Sequence, residues 1–291
     1  MRFKILTSLL LLCGCSVRSQ ELRHLFSFQI DNDLFVPQDH DNYYTSGLFF
    51  HYKFNTDRFL FLKNNVVTQF SFGQQMFTPN QPKYSNTYQY DRPFAGWLSL
   101  KASGLKVANN YAVSVAVELG FTGDYSFGKQ LHRSFHETFH FEEVPTWAGQ
   151  IPTELMVNVS SSYQQKIFNW AYTTINTTLG TKDVFADGGI TFIYNDNFKN
   201  YLKLPLSRNY ISGFTTLKYR WVGYDALIEG SIWNNNATVT RKPEHHLFLV
   251  STGANFQLKK WLVQFSYNYI SKRTAYAKYH IYGSLNICYL F

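Results

Sequence analysis

The stretch that decides the fold is Ile281–Phe291, which reads IYGSLNICYLF. Every second residue from Ile281 onward is apolar or glycine, and the residues between them are mostly polar or small. Successive side chains of a β-strand point to opposite faces, so this alternation predicts a strand with one apolar face and one polar face. The same pattern recurs at Tyr111–Leu119 and Trp261–Tyr269. The sequence therefore predicts an all-β protein built from amphipathic strands.

These strands predict a barrel that spans a membrane. Their apolar faces would contact lipid, and their polar faces would line the interior. Backbone polar groups in lipid must pair with one another, so the sheet has to close on itself. The 27 Phe and 21 Tyr residues suit the aromatic girdles of such a barrel. A last strand ending in Phe291 is typical of bacterial outer-membrane barrels, and we expect the barrel-assembly machinery to recognise it. A soluble β-sandwich is the alternative.

The N-terminal region predicts export. Arg2 and Lys4 precede the apolar segment 5–13, which is too short to span a bilayer as a helix. We expect residues 1–19 to be a signal peptide and residues 20–291 to be the outer-membrane barrel domain. Lipidation at Cys15 is the alternative to plain cleavage. We expect Cys288, outside this signal, to be a wall residue rather than a reactive thiol.

The fold class is a twelve-stranded antiparallel transmembrane β-barrel with a short helical segment in an extracellular loop. Bacterial barrels favour even strand numbers, so 212–220 is assigned to a long connection at 196–220. The predicted strands are 24–31, 44–54, 66–75, 93–102, 110–121, 154–165, 170–180, 186–195, 221–234, 245–257, 261–271 and 279–291.

The topology places three long connections on one rim. If both termini lie in the periplasm, the segments 32–43, 76–92 and 122–153 face outward. They contain most of the unusual polar residues of the chain. Long loops on the rim of a rigid wall are where function usually lies.

The net charge of +8 is dispersed, with no long run of Lys or Arg. This pattern disfavours a nucleic-acid partner and favours the lipids of an anionic membrane surface. We expect the barrel to be a monomer.

Oxygen-bearing side chains cluster at the predicted end of the first strand and the start of the second. Asn32 and Asp33 follow the first strand, and Thr45 begins the second. Carboxylate, amide and hydroxyl oxygens suit a hard cation such as Ca²⁺. An Asx-rich turn with no metal is the alternative interpretation.

Histidines mark the third outward connection. His132, His136 and His140 are spaced by four, so they would share one face of a short helix. Histidine is the usual general base near neutral pH, and three histidines could also bind Zn²⁺. A solvated loop helix is the alternative. Asp91-Arg92, before the fourth strand, could equally form a structural ion pair.

Together these segments resemble the outer-membrane lipid A 3′-O-deacylase family over about residues 25–155. The C-terminal half resembles the family only as a barrel. The residues that carry the resemblance are Asn32-Asp33, Thr45-Ser46-Gly47-Leu48-Phe49, Asp91-Arg92, His136, Glu142 and Pro145-x-Trp147-x-x-Gln150-Ile151.

The resemblance implies a calcium-dependent esterase that removes the ester-linked 3′-acyloxyacyl chain from lipid A at the outer leaflet. His136 falls on the general base of the family, Glu142 on its Glu, and Thr45 on its Thr. Asn32 and Asp33 fall on the Asn-Asp pair, and these two residues with Thr45 are the expected Ca²⁺ ligands. Lys83 falls near the family's Lys. His132 stands where the family has Gln, and Asp91, Arg92 and Gln150 are auxiliary candidates.

Two other functions remain open from the sequence. One is a non-catalytic barrel, such as a small porin or a binding protein. The other is an outer-membrane phospholipase with a Ser–His–Asn site, for which Ser134 lies two residues from His136. Two residues apart on a helix, these side chains would not face each other. For a lipid A substrate, four basic residues could bind the phosphates: Lys83, Arg92, Lys129 and Arg133.

Overall fold

The computed structural model describes residues 24–36, 42–80, 86–140, 145–205, 208–233 and 235–291. The predicted signal peptide at 1–19 lies outside them. Twelve strands form one closed antiparallel barrel, as predicted. The strands are β1 (His24–Asn32), β2 (Tyr43–Phe59), β3 (Leu62–Thr78), β4 (Ala95–Val107), β5 (Tyr111–Phe121), β6 (Leu155–Phe168), β7 (Ala171–Gly180), β8 (Asp183–Tyr194), β9 (Tyr210–Asp225), β10 (His246–Leu258), β11 (Trp261–Ile270) and β12 (His280–Leu290). Within the described ranges, three α-helices lie in the connections: α1 (Gly128–Thr138), α2 (Phe198–Leu202) and α3 (Ala226–Glu229).

The barrel closes by pairing its first and last strands. β1 and β12 are antiparallel, with Leu25 opposite Leu290 and Asn32 opposite Gly283. The backbone amides of His24 and Phe291 each donate to the carbonyl of the other residue. Each other strand pairs with its neighbours in sequence. Closure satisfies the backbone groups that a sheet edge would leave unpaired in lipid.

The two faces of each strand differ as the alternation predicts. On β3 the outward Phe70 and Phe72 are exposed. The intervening Gln69 and Ser71 point inward, where Gln69 Nε2 donates to Ser71 Oγ at 2.7 Å. In a membrane this exposure is contact with lipid, which explains why so many large apolar side chains lie on the surface.

The ninth strand corrects the sequence-based assignment. The strand predicted at 221–234 is wrong, and so is the connection at 196–220, because β9 occupies Tyr210–Asp225. Its outward residues include Ile211, Leu217 and Trp221, all exposed. The chain leaves the sheet at Asp225, whose carboxylate accepts from Leu227 N at 3.0 Å and caps α3.

The connections divide unequally between the two rims of the barrel. The rim that carries His24 and Phe291, the terminal rim, has tight turns and one longer connection at 195–209. The opposite rim, the loop rim, carries the connections 33–42, 79–94 and 122–154. The prediction that the three long polar loops share one rim is therefore confirmed.

The 195–209 connection folds into the terminal mouth. Phe198 of α2 is buried beside Tyr172. Leu204 packs against Leu25, Leu262 and Cys288 of the wall. Cys288 is thus a buried wall residue, as predicted. We call Phe198–Leu204 the plug.

The lumen is polar and contains a cavity of about 650 Å³. Arg220 donates to Asp187 Oδ2 at 2.6 Å, and Lys218 Nζ lies 3.7 Å from Asp187 Oδ1. Trp97 Nε1 donates to Glu118 Oε1 at 3.1 Å. Ion pairs and hydrogen bonds therefore link neighbouring strands along the inner face of the wall. In the described ranges no helix is long and apolar enough to cross a membrane.

Candidate active site under the loop helix

Helix α1 lies against the outer face of the wall, on β3 and β4. Small residues allow this close approach, because a Cβ on Gly96 of β4 would collide with Ser126 and lie 3.5 Å from the Cα of Gly128. Gln74, on the outward face of β3, donates from Nε2 to Ser126 O at 3.5 Å. The predicted helical segment of this loop is confirmed.

One face of α1 is buried against the wall. Gly128, His132 and His136 are its three buried residues, and their spacing of four places them on one side of the helix. His132 and His136 are 2% and 4% exposed, and their ring centroids lie 4.8 Å apart. The covered outer wall thus holds two imidazoles in edge-to-face contact.

His140 does not join them, contrary to the prediction. The helix ends at Thr138, and His140 follows in a left-handed conformation with φ of 54°. Its side chain is exposed. The three-histidine Zn²⁺ site is therefore not formed: within the described ranges, no group of three or more His, Cys, Asp or Glu side chains is placed to hold a metal.

Trp147 completes the enclosure of His132. Its Nε1–H donates to His132 Nδ1 at 3.2 Å. Its ring stacks on Phe94 at a centroid distance of 5.1 Å, and a Cβ on Gly128 would lie only 2.7 Å from it. Trp147 is 4% exposed. It was part of the recognised motif but was not among the predicted site residues; its position fifteen residues after His132 gave no signal of contact.

The oxygen-bearing residues lie at the loop rim, where β1 and β2 meet. Asn32 ends β1 opposite Ser46, and its Oδ1 accepts from Leu34 N at 2.7 Å to cap a one-turn 3-10 helix at Asp33–Phe35. Asp33 is 1% exposed, and its Oδ2 accepts from Asn42 N at 3.4 Å. Asn32 therefore caps a turn while Asp33 provides a buried carboxylate. The Asx-rich turn and the metal site, given above as alternatives, are compatible.

Thr45 connects this pair to the strand under α1. It occupies a register shift between Tyr44 and Ser46, and its Oγ1 shares a hydrogen bond of 2.8 Å with Thr78 Oγ1 at the end of β3. Thr78 shares the outward face of β3 with Gln74, which contacts the α1 loop. Asn32, Asp33 and Thr45 thus lie on the loop rim at β1 and β2, and the two histidines lie on α1, which packs on the neighbouring strands β3 and β4.

A hard cation suits the chemistry of these donors. Asp33 offers a buried carboxylate, and the neighbouring Asn42 Oδ1 is buried with no hydrogen-bond partner among the described residues. Buried polar oxygens need a partner, and Ca²⁺ accepts carboxylate, amide and hydroxyl oxygens. Asp33, Asn32 and Thr45 therefore fit a calcium site. Two further candidates, Lys83 and Glu142, lie outside the described residues.

Asp91 and Arg92 belong to a different part of the loop rim. Asp91 accepts from Asn80 N at 3.0 Å, and Arg92 donates to Leu227 O at 3.2 Å. Burial raises the pKa of the Asp91 carboxyl above its usual range. Both residues are almost fully buried, with Arg92 at 2% exposure and its guanidinium over Phe77. The predicted role of Arg92 in phosphate binding is thus wrong, because the side chain ties the loops together from inside.

Gln150, the last auxiliary candidate, is half-buried. It precedes Ile151, whose amide donates to Phe94 O at 2.9 Å and fixes the return of the loop to the wall. Gln150 is therefore the residue next to the point where the loop is fixed to Phe94.

A closed β-barrel with two buried histidines between its outer wall and a loop helix defines an integral outer-membrane protein whose candidate site faces the lipid surface. The sequence profile of the family described as "Outer membrane protein LpxR" matches residues 5–291. The chain belongs to this family of outer-membrane lipid A deacylases, which confirms the resemblance found in its motifs.

One solved structure supports the fold. The chain is similar to LpxR from Salmonella typhimurium, with a TM-score of 0.77 at 15% identity over 92% of this chain and 100% of that chain. The translocator domain of the autotransporter NalP from Neisseria meningitidis gives a TM-score of 0.47 at 10% identity, over 96% of this chain and 91% of that chain. No curated protein matches in sequence.

Proposed function

We propose that this chain is a calcium-dependent esterase that removes the ester-linked 3′-acyloxyacyl chain from lipid A in the outer leaflet. The observation that carries the proposal is the placement of His136, buried beside His132 between α1 and the outer wall. A base in this position is reached from the lipid side rather than through the lumen. The substrate is therefore a membrane lipid.

The chemistry follows from the groups present. Water is a poor nucleophile at neutral pH, and His136 can accept its proton as it attacks the ester carbonyl. When the acyl C–O bond then breaks, the same proton can pass from His136 to the departing sugar oxygen. Asp33, with Asn32 and Thr45, would hold the cation. When bound, Ca²⁺ would supply positive charge for the oxyanion that forms. Glu142 and Lys83 remain candidates for orienting the base and assisting the oxyanion.

The surroundings suit an acyl chain. Below α1 the bare outer wall forms an open apolar groove of about 460 Å³ whose lining includes Phe72, Leu100 and Leu119. An acyl chain in this groove would take the place of a membrane lipid chain, so its apolar surface would stay out of water. On the other side of α1, Lys129 is half-buried and Arg133 is exposed, so both can donate to lipid A phosphates.

The two alternatives receive less support. Ser134 is exposed on α1, whereas His136 is buried, so the helix keeps the two side chains apart. A porin needs an open path, but the plug packs into the terminal mouth against Leu25, Leu262 and Cys288 of the wall. This packing does not affect a site on the outer wall.

The direct test is mass spectrometry of lipid A from a heterologous Gram-negative host with and without the chain. We expect a new lipid A species that lacks the 3′-acyloxyacyl group only in cells with the folded barrel. Unchanged lipid A, in outer membranes that contain folded protein and millimolar Ca²⁺, would exclude the deacylase proposal. Released lysophospholipid would instead support the phospholipase.

A further inference from the structure

We infer that Trp147 is a positioning residue that fixes His132 in the neutral tautomer with its proton on Nε2, so that His132 is a hydrogen-bond donor beside the proposed base. The inference rests on the proposed function for its effect on catalysis. The tautomer itself follows from the geometry and can be tested without activity.

The hydrogen bond determines the tautomer. An indole Nε1–H can only donate. His132 Nδ1 accepts it at 3.2 Å, so that nitrogen carries no proton. In a neutral imidazole the proton then resides on Nε2, which becomes a donor. A proton on Nδ1 would place two N–H groups against each other.

Trp147 cannot easily turn away from His132. Its ring is stacked on Phe94 with an angle of 25° between the planes, and it packs against the backbone of α1 at Gly128. Its backbone is left-handed, with φ of 55°, which is unusual for a bulky residue and is maintained only where the surroundings hold it. The indole donor is therefore held in place by packing on both sides.

The donor created in this way lies next to the base. His132 and His136 are one turn apart on the buried face of α1, with ring planes at 78°. A neutral N–H at this position supplies a hydrogen-bond donor without adding a second positive charge beside His136. The alternative tautomer would present a lone pair on Nε2 in place of this donor.

Nitrogen-15 NMR of protein labelled at its 9 histidines, folded in detergent, tests the tautomer. The His132→Gln spectrum identifies the signals of His132 by their loss. In the wild-type protein we expect the Nδ1 signal in the unprotonated range and the Nε2 signal in the protonated range. In Trp147→Phe, which keeps a ring for the stack but removes the donor, we expect averaged signals from a tautomer mixture. Unchanged signals in Trp147→Phe would overturn the assignment.

A double-mutant cycle tests the effect on catalysis. Trp147→Phe should lower the rate of lipid A deacylation by about tenfold, the upper range for one hydrogen bond. A Gln amide carries its N–H donors in any state, so the same change in a His132→Gln background should lower the rate by less than about twofold. Equal losses in both backgrounds would show that Trp147 acts by packing alone and would refute its positioning role.

Trp97→Phe is the matched control. Trp97 also donates its indole N–H, to Glu118 in the lumen, and is as deeply buried as Trp147. Its replacement should leave both the His132 signals and the deacylation rate unchanged. If wild-type protein shows no deacylation but the NMR result holds, the proposed function fails while the tautomer assignment stands.

Discussion

Two parts of the outer wall differ although they share a strand. Along β3, Phe70 and Phe72 face outward and are exposed, at 51% and 43%. Two and four residues further on, Gln74 and Met76 face the same way but are 4% and 6% exposed, because α1 and its loop cover them. The bare wall is apolar, and the covered wall carries polar groups.

The difference teaches how a membrane barrel can have polar chemistry on its outside. An unsatisfied polar side chain facing lipid is costly, so it needs a partner. Here the partner is a loop that folds back onto the wall, as Gln74 shows by donating to Ser126 O. A polar outward residue near the rim of such a barrel therefore indicates a covered surface and a candidate site.

The largest expected effect comes from removing the base on the covered wall. His136→Ala should lower the deacylation rate by about 10²- to 10⁴-fold, the usual contribution of a general base. Initial rates on purified lipid A, followed by mass spectrometry, measure it. His140→Ala, on the exposed residue beyond the helix, is the control and should keep the activity. Persistent acyl loss in a folded His136→Ala barrel would reject the base assignment.

Removal of the cation should have the next largest effect. Chelation with EGTA should reduce the rate by about 10²- to 10³-fold, as expected for the loss of one oxyanion stabiliser, and added Ca²⁺ should restore it. Asp33→Asn should raise the Ca²⁺ concentration needed for half-maximal activity. Restoration by Zn²⁺ but not by Ca²⁺ would contradict the calcium site and point to the histidines as ligands.

Separating α1 from the wall should have a smaller effect. Gly96→Ala adds a methyl group that collides with Ser126, so we expect the helix to shift and the rate to fall about three- to tenfold. Gly188→Ala is the matched control, because its added Cβ would meet only Thr174 O at 3.8 Å. Equal rates in the two variants would mean that the histidines do not depend on the close helix contact.

The smallest expected effects are on the free energy of unfolding, and they distinguish substitutions in the bare wall from substitutions in the covered wall. Phe72→Lys places a charge in the lipid-facing band and should reduce the free energy of unfolding by about 1–3 kcal/mol. Gln74→Leu, beneath the loop, should change it by less than about 1 kcal/mol. Urea unfolding in lipid vesicles measures both. A larger loss at Gln74 than at Phe72 would show that the bare band is not where lipid contacts the wall.

Much of the fold could be predicted because strand alternation is a local signal. The closure of the barrel, the number of strands, the three long connections on the loop rim and helix α1 all follow from short-range sequence patterns. The ninth strand was misplaced because 212–220 alternates less sharply, with Gly213, Thr215 and Thr216 inside it, and even-number counting then favoured 221–234. Asp225, which caps α3, was the overlooked stop signal.

The site could be predicted only in part. Residue types and spacing indicated His132 and His136, whereas the end of α1 at Thr138, which excludes His140, depends on the local backbone. Arg92 was assigned to phosphates because its burial comes from loops far away in sequence, through Leu227 O. The contact of Trp147 with His132 also depends on folding of the whole loop. The roles of Glu142 and Lys83 stay predictions.

The plug has a consequence for the cell that makes this protein. With Leu204 seated among Leu25, Leu262 and Cys288, the plug narrows the path that small solutes would take through the barrel. An enzyme mounted on the outside of such a cylinder can be abundant without making the envelope leaky.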